Sequence, residues 1–517
     1  MASAKVPADN VTRAPEWPQI VVADRHLREL SAECLDVLRN SNEPSPHLFV
    51  RGGAIVQIVN DENGRSTIKD ASETFLAGCL TRNADFGYHH KLKDGESVFV
   101  PKHPPRAAIH DILSRAQTDW RLPPLVTVTQ SPLLRPDGSI ALEPGYDRVL
   151  RSVYIRSPAL TVPNIPLHPD KGELEAAVAL LRECIGDFPF VDPASQANVF
   201  GMLLTPLIRE LVDGNVPIAL LDAPQQGTGK SLLAEVVSVI HTGSNAAMKS
   251  PPKDDEEWRK NLTSVLQAGH SITIFDNLSK PLWSPSLALA VTCSVWEDRV
   301  LGRTQLVRLP QRTTFIVTGN NIQLRGDLPR RCYWVRLDAE SSRPWTGRKF
   351  KHPALLDWTR KHRGELVGAL LTMASGWYAA GRPPSDGPIL GSFEGWCRIV
   401  GGILAYSSVG GFLGNLKQMH DDADPSQAQW ALFLQKLRAF SGGKPFTIRD
   451  LLPLMVAGSD ITNSLPEEFV EADKDRSRSL GRAFQRNRGR RFGNENLHIE
   501  MEGTAQGGVK RWKVEKG

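Results

Sequence analysis

The sequence predicts an α/β protein whose middle third alternates strands with helices. Three observations carry that reading. Short apolar runs at 216–221, 271–275 and 313–318 are separated by segments of helical periodicity. The first run leads through a glycine-containing loop into an amphipathic helix, in PIALLDAPQQGTGKSLLAEVVSVI. The other two run into polar residues, Asp276 and Asn320.

The 517 residues suffice for about three domains of ~100–200 residues each. Hydrophobic residues make up 41% of the chain and charged residues 23%, so real cores can form. No uninterrupted apolar stretch of about 18 residues occurs, which excludes a membrane-spanning helix. The start, MASAKVPADNVTRAPEWPQ, lacks the apolar centre of a signal peptide and reads as a loose tail. The six cysteines are scattered without a C-x-x-C pair, against a zinc ribbon or a disulfide framework. These features lead us to expect a cytoplasmic protein with no membrane partner. The adjacent His89 and His90 do not make a metal site, because neighbouring residues rarely aim at one ion. The net charge of +5 is mild, but its basic excess gathers near the C-terminus.

Residues 1–165 read as a mixed α+β unit of unassigned role. Periodicity predicts a helix over 20–38. HLFVRGGAIVQIV reads as a hairpin turning at Gly52-Gly53, and Asp137-Gly138 marks a second turn. A proline-rich stretch at 163–169 reads as a linker. Helices are predicted over 172–183 and 194–212. The core spans 171–345, a helical region 346–427, and a basic unit with winged-helix-like order 428–517.

The loop after the first core strand has the chemistry of phosphate binding. Gln226, Gly227, Thr228 and Gly229 offer backbone N–H groups, and the glycines let the chain turn them inward. Lys230 offers a point charge to β and γ phosphates, Ser231 a hydroxyl to Mg²⁺, and the helix N-terminus its partial positive charge. ATP and Mg²⁺ are therefore the expected cofactors. The strict pattern opens on glycine, whereas this one opens on Pro224. Such a loop needs an acidic residue at the end of a neighbouring strand to hold the metal shell, and Asp276 in SITIFDN fits. Asn277 follows where a water-activating acid would stand, and an amide is no general base. Glu256 or Glu257 is an alternative carboxylate. Asn320, in TTFIVTGNN, is placed to orient water or touch the γ-phosphate, although an Asn-rich turn would read the same. Arg330 and Arg331, in GDLPRR, stand where an arginine finger would act across a subunit boundary, or are ordinary surface arginines.

In order and spacing these segments resemble the superfamily-three helicase core of phage, plasmid and poxvirus primase–helicases. The whole chain resembles ATP-binding proteins of prophages and integrative elements, through DFPF, APQQGTGKS, EEWRK, FDN and TGNN followed by GDLPRR. The resemblance implies a P-loop NTPase core of the AAA+ kind. It also implies a homo-oligomeric ring, such as a hexamer, moving on single-stranded DNA; DNA, a primase or a polymerase are the candidate partners of the N-terminal unit. It places a pore hairpin at 299–309 with Arg303 near its tip. Pro224 and Asn277 depart from the family pattern and bear on the rate of hydrolysis more than on the fold.

Near the C-terminus, KDRSRSLGRAFQRNRGRR sets Leu480 and Phe484 one helical turn apart, amid Arg482, Arg486, Arg488, Arg490 and Arg491. LHIEMEG and VKRWKVEK follow as alternating strands. Helices followed by a β-wing suggest DNA binding through these arginines, with protein docking or a merely solubilising face as alternatives.

Three functions fit. The first is an ATP-dependent DNA helicase or translocase in replication of a phage or mobile element. The second is a slow switch ATPase: a helicase loader, initiator or defence ATPase with a protein partner. The third is a DNA-binding protein with a degenerate ATP site. Strand displacement separates the first two, and ATP binding separates both from the third.

Overall fold

The computed structural model describes residues 17–517 apart from 63, 94, 300–305, 424, 456–458, 467, 468, 470–475 and 506. The fold is mixed α/β, and its centre is a four-stranded sheet. In spatial order the strands are Ile272–Leu278, Thr314–Asn320, Ile218–Ala223 and Cys332–Arg336. All three pairings are parallel. A parallel sheet covered on both faces needs near-continuous apolar strands. Ile218–Ala223 meets this with every residue buried.

The helices around the sheet start where the sequence supplies caps. Asp170 and Glu173 form a capping box ahead of Lys171–Ile185. Asp192 caps Pro193–Leu204, whose first residue is proline. That second helix is shorter than the expected 194–212. Pro206 has no N–H to continue the ladder, and the Thr205 hydroxyl instead donates to Gly201 O at 2.6 Å.

The four helices Leu355–Lys361, Arg363–Ala379, Glu394–Tyr406 and Leu416–Ala423 follow the sheet. Their apolar residues, Leu370, Trp396 and Met419 among them, share one core with it. The proline-rich stretch proves to be packed rather than free. A Cβ on Gly364 would lie 1.8 Å from Thr161 O, and one on Gly368 or Gly376 would meet Pro163 or Pro169 at 2.9 or 2.7 Å. These glycines open a groove along helix Arg363–Ala379, and the prolines fill it.

The N-terminal unit holds a meander, Leu48–Arg51, Ala54–Asn60 and Ser66–Asp70, and a second sheet of Gln19–Val21, Asp85–Lys91 and Ser97–Pro101. Arg51 pairs with Ala54, so Gly52-Gly53 is the whole turn, with φ of 59° and 84°. The expected helix over 20–38 is corrected. Ile20 and Val21 pair in parallel with Phe86 and Gly87, and the helix begins only at Leu27–Asn40. Ile20, Val21 and Val22 favour a strand once a partner strand is present, and periodicity alone does not report that partner.

The last unit has its own aromatic core, with Trp430, Phe433, Phe484, Phe492 and Trp512 buried. Helix Arg476–Arg486 lies ahead of the antiparallel strands His498–Ala505 and Val509–Glu515, and Phe446–Thr447 completes that sheet. Leu480 and Phe484 are buried as their spacing predicts.

Two histidines make the fold acid-sensitive. Burial lowers His241 to about 3 and His270 to about 4. In an unfolded chain both titrate near ~6.5. Below that pH the unfolded chain gains protons that the folded one refuses, so stability is fully present above pH ~6.5 and falls toward pH ~3. Urea midpoints measured in this window should fall with pH, and more shallowly for His241→Asn. An unchanged slope in that variant would refute the assignment.

Candidate nucleotide-binding site

The strand Ile218–Ala223 and the helix Lys230–Thr242 are joined by the 224–229 loop. Gly227 and Gly229 sit at φ of 79° and 108°, a backbone region that a side chain would strain. Gly229 occupies the cap position of the helix without a side-chain cap, so the first amides of the helix stay open.

Lys230 folds over this loop. Its Nζ donates to Gln225 O at 3.0 Å, Thr228 Oγ1 at 3.3 Å and Asn320 Oδ1 at 2.7 Å. Burial lowers its pKa, while the charges of Asp222 and Asp276 pull it back up. Ser231 Oγ donates to Asp276 Oδ1 at 2.8 Å. The Thr318 hydroxyl donates to the same oxygen at 2.6 Å and accepts from Asn277 N at 2.9 Å. Lys230, Ser231, Asp276 and Asn320 therefore meet at one end of the sheet. The geometry differs from expectation in one respect. The strand of Asp276 does not neighbour the loop strand, because the Asn320 strand lies between them. Asp276 reaches Ser231 across it.

Asn277 has a left-handed backbone, φ 65°, at a register shift between Phe275 and Leu278. This conformation turns Asn277 outward, and it is exposed. Glu256 and Glu257 both pair with Lys260, at 3.0 and 2.9 Å. Among the described residues, the hydrogen bonds and ion pairs of Lys230 and Ser231 involve neither glutamate.

The two arginines after the sheet differ in setting. Both pair with Asp327. Arg331 is tied down further, donating to Ala288 O at 2.6 Å and to the Thr292 hydroxyl, with its side chain 14% exposed. Arg330 is 62% exposed. Its bond to Asp327 raises its pKa and holds the carboxyl of Asp327 below its usual range.

A cavity of about 540 Å³ opens beside Gly227, Thr228 and Gly229. Phe188, Trp345, Arg348 and Phe350 also line it. The Trp345 ring covers the loop so closely that a Cβ on Gly227 would meet it at 2.7 Å. Arg348 donates to Thr228 O at 3.5 Å and to Asp187 O, and its guanidinium lies over Phe350. With its amide nitrogen facing them, Gln225 donates to Ser341 O and Ser342 O at 3.3 Å. Segment 341–350 thus forms a strap along the loop. Sequence reasoning missed these residues because no motif spacing links them to it. Only the unusual run RPWTGRKF was available as a signal.

The remaining expected residues lie elsewhere. Arg303 falls outside the described residues. The strands flanking it, Val295–Arg299 and Leu306–Pro310, pair as an antiparallel hairpin anchored by the buried Trp296. Arg482, Arg486, Arg488, Arg490 and Arg491 are exposed on the C-terminal unit. Arg488 pairs with Glu500 at 2.9 Å, and Arg490 lies over Phe492 and donates to Asn487 at 2.8 Å.

Among the described residues no helix is long and apolar enough to cross a membrane. No protein-family model matches the chain, and no curated protein matches it. Solved structures with some likeness include the A form of the apo NrS-1 C-terminal region, at 11% identity and TM-score 0.36, over 89% of this chain and 95% of that one. SCCmec type IV Cch, an active helicase, has 11% identity and TM-score 0.31, over 91% and 97%. JCV helicase with a bound small molecule has 13% identity and TM-score 0.25, over 48% and 66%. Likeness at this level assigns no activity.

Proposed function

We propose that the chain binds and hydrolyses ATP with Mg²⁺ around Lys230 and works on DNA as a ring-forming helicase or translocase. The observation that carries this reading is the meeting of Lys230, Ser231, Asp276 and Asn320 under a glycine loop that borders a nucleoside-sized cavity. Pockets that hold small ligands span about 300–1,000 Å³.

The residues present fit Mg²⁺. Ser231 and Asp276 offer a hydroxyl and a carboxylate, hard oxygens of the kind this ion takes alongside phosphate and water. Bound there, the ion would neutralise charge on the phosphates. Lys230 would exchange its carbonyl and amide partners for phosphate oxygens, and the open amides of the loop would line the rest. Asn320, released by Lys230, would orient the attacking water. Arg330 would reach the γ-phosphate of a neighbouring copy, while Arg331 holds its segment in place. The C-terminal unit would act as a winged helix that binds DNA phosphates through Arg482, Arg486, Arg488, Arg490 and Arg491, with Arg303 contacting DNA in the ring pore. Residues 1–165 would serve as the partner-facing domain, toward a primase or polymerase.

In this reading Trp345 stacks on the base. Trp345→Ala should weaken ATP binding by about 5- to 150-fold, the scale of one base–aromatic stack, and Trp345→Phe should restore most of it. Titration with a fluorescent ATP analogue measures both, and equal affinity in all three proteins would remove Trp345 from the site.

The decisive test of function is the ATPase rate with and without single-stranded DNA, run beside size determination with ATP. Strong stimulation together with a ring-sized assembly supports the motor. Slow turnover indifferent to DNA supports the second reading, a switch ATPase with a protein partner. Asn277 favours that switch, because no carboxylate follows Asp276 to activate water.

A further inference from the structure

We propose that Asp222 is a positioning residue that couples the segment bearing Arg330 to the Lys230–Asn320 contact. The inference rests on the ATPase reading above and concerns a residue that no phosphate-binding motif requires.

Asp222 stands one residue from the end of the loop strand, in the apolar run IALLDA, and is 1% exposed. A carboxylate there is expensive to bury unless its oxygens find donors. Each oxygen has one, and the donors come from different elements. Oδ1 accepts from Ile322 N at 3.0 Å, and Oδ2 accepts from the Trp334 indole at 3.2 Å.

The two donors have separate consequences. Ile322 lies two residues beyond Asn320. Between them Asn321 takes a left-handed backbone, φ 46°, and its N–H donates to Ala223 O at 3.1 Å. The bond from Ile322 therefore pins the turn that aims Asn320 at Lys230. Trp334 sits mid-strand in Cys332–Arg336, directly after the short helix Pro329–Arg331. That strand pairs only with the loop strand in the central sheet, so it is an edge. A shift of Arg330 against a neighbouring copy would move this edge first, and the indole would carry the shift to Asp222. Burial pushes the Asp222 carboxyl up, and the Ile322 N–H, the Arg336 charge and the Trp334 indole pull it back down.

A purely structural carboxylate would affect stability and leave the balance of binding and turnover alone. Asp222→Asn, which keeps the shape and loses the charge, and Trp334→Phe, which removes one donor, distinguish the two roles. We expect kcat for ATP to fall by about 2- to 30-fold in each, the range of coupling changes within one network, with KM moving less than about twofold. Combined with Arg330→Ala, Trp334→Phe should add little, because residues that act in series are not additive. Wild-type kcat in the variants that fold, or losses that multiply in the double variant, would overturn the proposal. Should Asp222→Asn fail to fold, Trp334→Phe decides alone. Lys230→Ala, assayed in parallel, separates the failures. Normal turnover there sinks the ATPase reading itself, whereas silence there beside wild-type Trp334→Phe sinks only the positioning role.

Discussion

Lys230→Ala is expected to abolish ATP turnover, a loss of at least about 10²–10³-fold on the scale of removing one preorganised electrostatic contact. The reason lies in where Lys230 already is. Its ammonium is buried and held by Gln225 O, Thr228 Oγ1 and Asn320 Oδ1. The lysine is thus preorganised over the loop, and phosphate oxygens would be stronger partners than two neutral oxygens and an amide. Burial lowers its pKa, and an anionic ligand beside it would favour the charged form further. Truncation removes a cation without opening the apolar core, since the sheet beneath is closed by Leu220, Ile316 and Val317. The variant should therefore fold. Steady-state phosphate release measures the effect, and normal turnover would remove Lys230 from the chemistry.

Arg330→Ala and Arg331→Ala are expected to diverge, which makes the pair the second large effect. A finger acting in trans contributes about 10³–10⁵-fold to turnover, so Arg330→Ala should lose turnover yet keep nucleotide binding and thermal stability. Among the described residues its exposed side chain pairs with Asp327 alone. Arg331→Ala should act on the fold. It removes the guanidinium that donates to the Thr292 hydroxyl and, beside that hydroxyl's own bond, to Ala288 O at the C-terminal turn of helix Pro285–Thr292. Losing charged hydrogen bonds of this kind costs about 1.5–3 kcal/mol. Thermal melts together with turnover assays read both effects. Mixing Arg330→Ala with Lys230→Ala subunits tests action in trans, because each copy lacks what the other supplies. No recovery of turnover in the mixture would argue against a finger. Stable, inactive Arg331→Ala beside active Arg330→Ala would reverse the assignment.

The core was legible wherever one local pattern determines one local structure. The run IALLDAPQQGTGKS dictates a strand, a turn through left-handed glycines and a helix start, and each lies within two or three residues of its sequence position. The apolar runs before Asp276 and Asn320 became buried parallel strands for the same reason. Leu480 and Phe484 declared their buried face by spacing alone. Legibility failed where a distant partner decides. Ile20 and Val21 are a strand only because Phe86 and Gly87 lie beside them. The prolines around 163–169 look like a linker until Gly364, Gly368 and Gly376 open a groove for them.

By itself, then, the sequence determined the strand, turn and helix start of the loop, the strand ends that carry Asp276 and Asn320, and the apolar faces of the helices, because these follow from backbone preference and periodicity within a few residues. Only the tertiary structure decided the strand order that sets Asn320 between Asp276 and the loop, the separate settings of Arg330 and Arg331, the Trp345 strap and the two donors of Asp222. Each of these joins residues far apart in the chain, and their meeting depends on how the core closes rather than on any local preference.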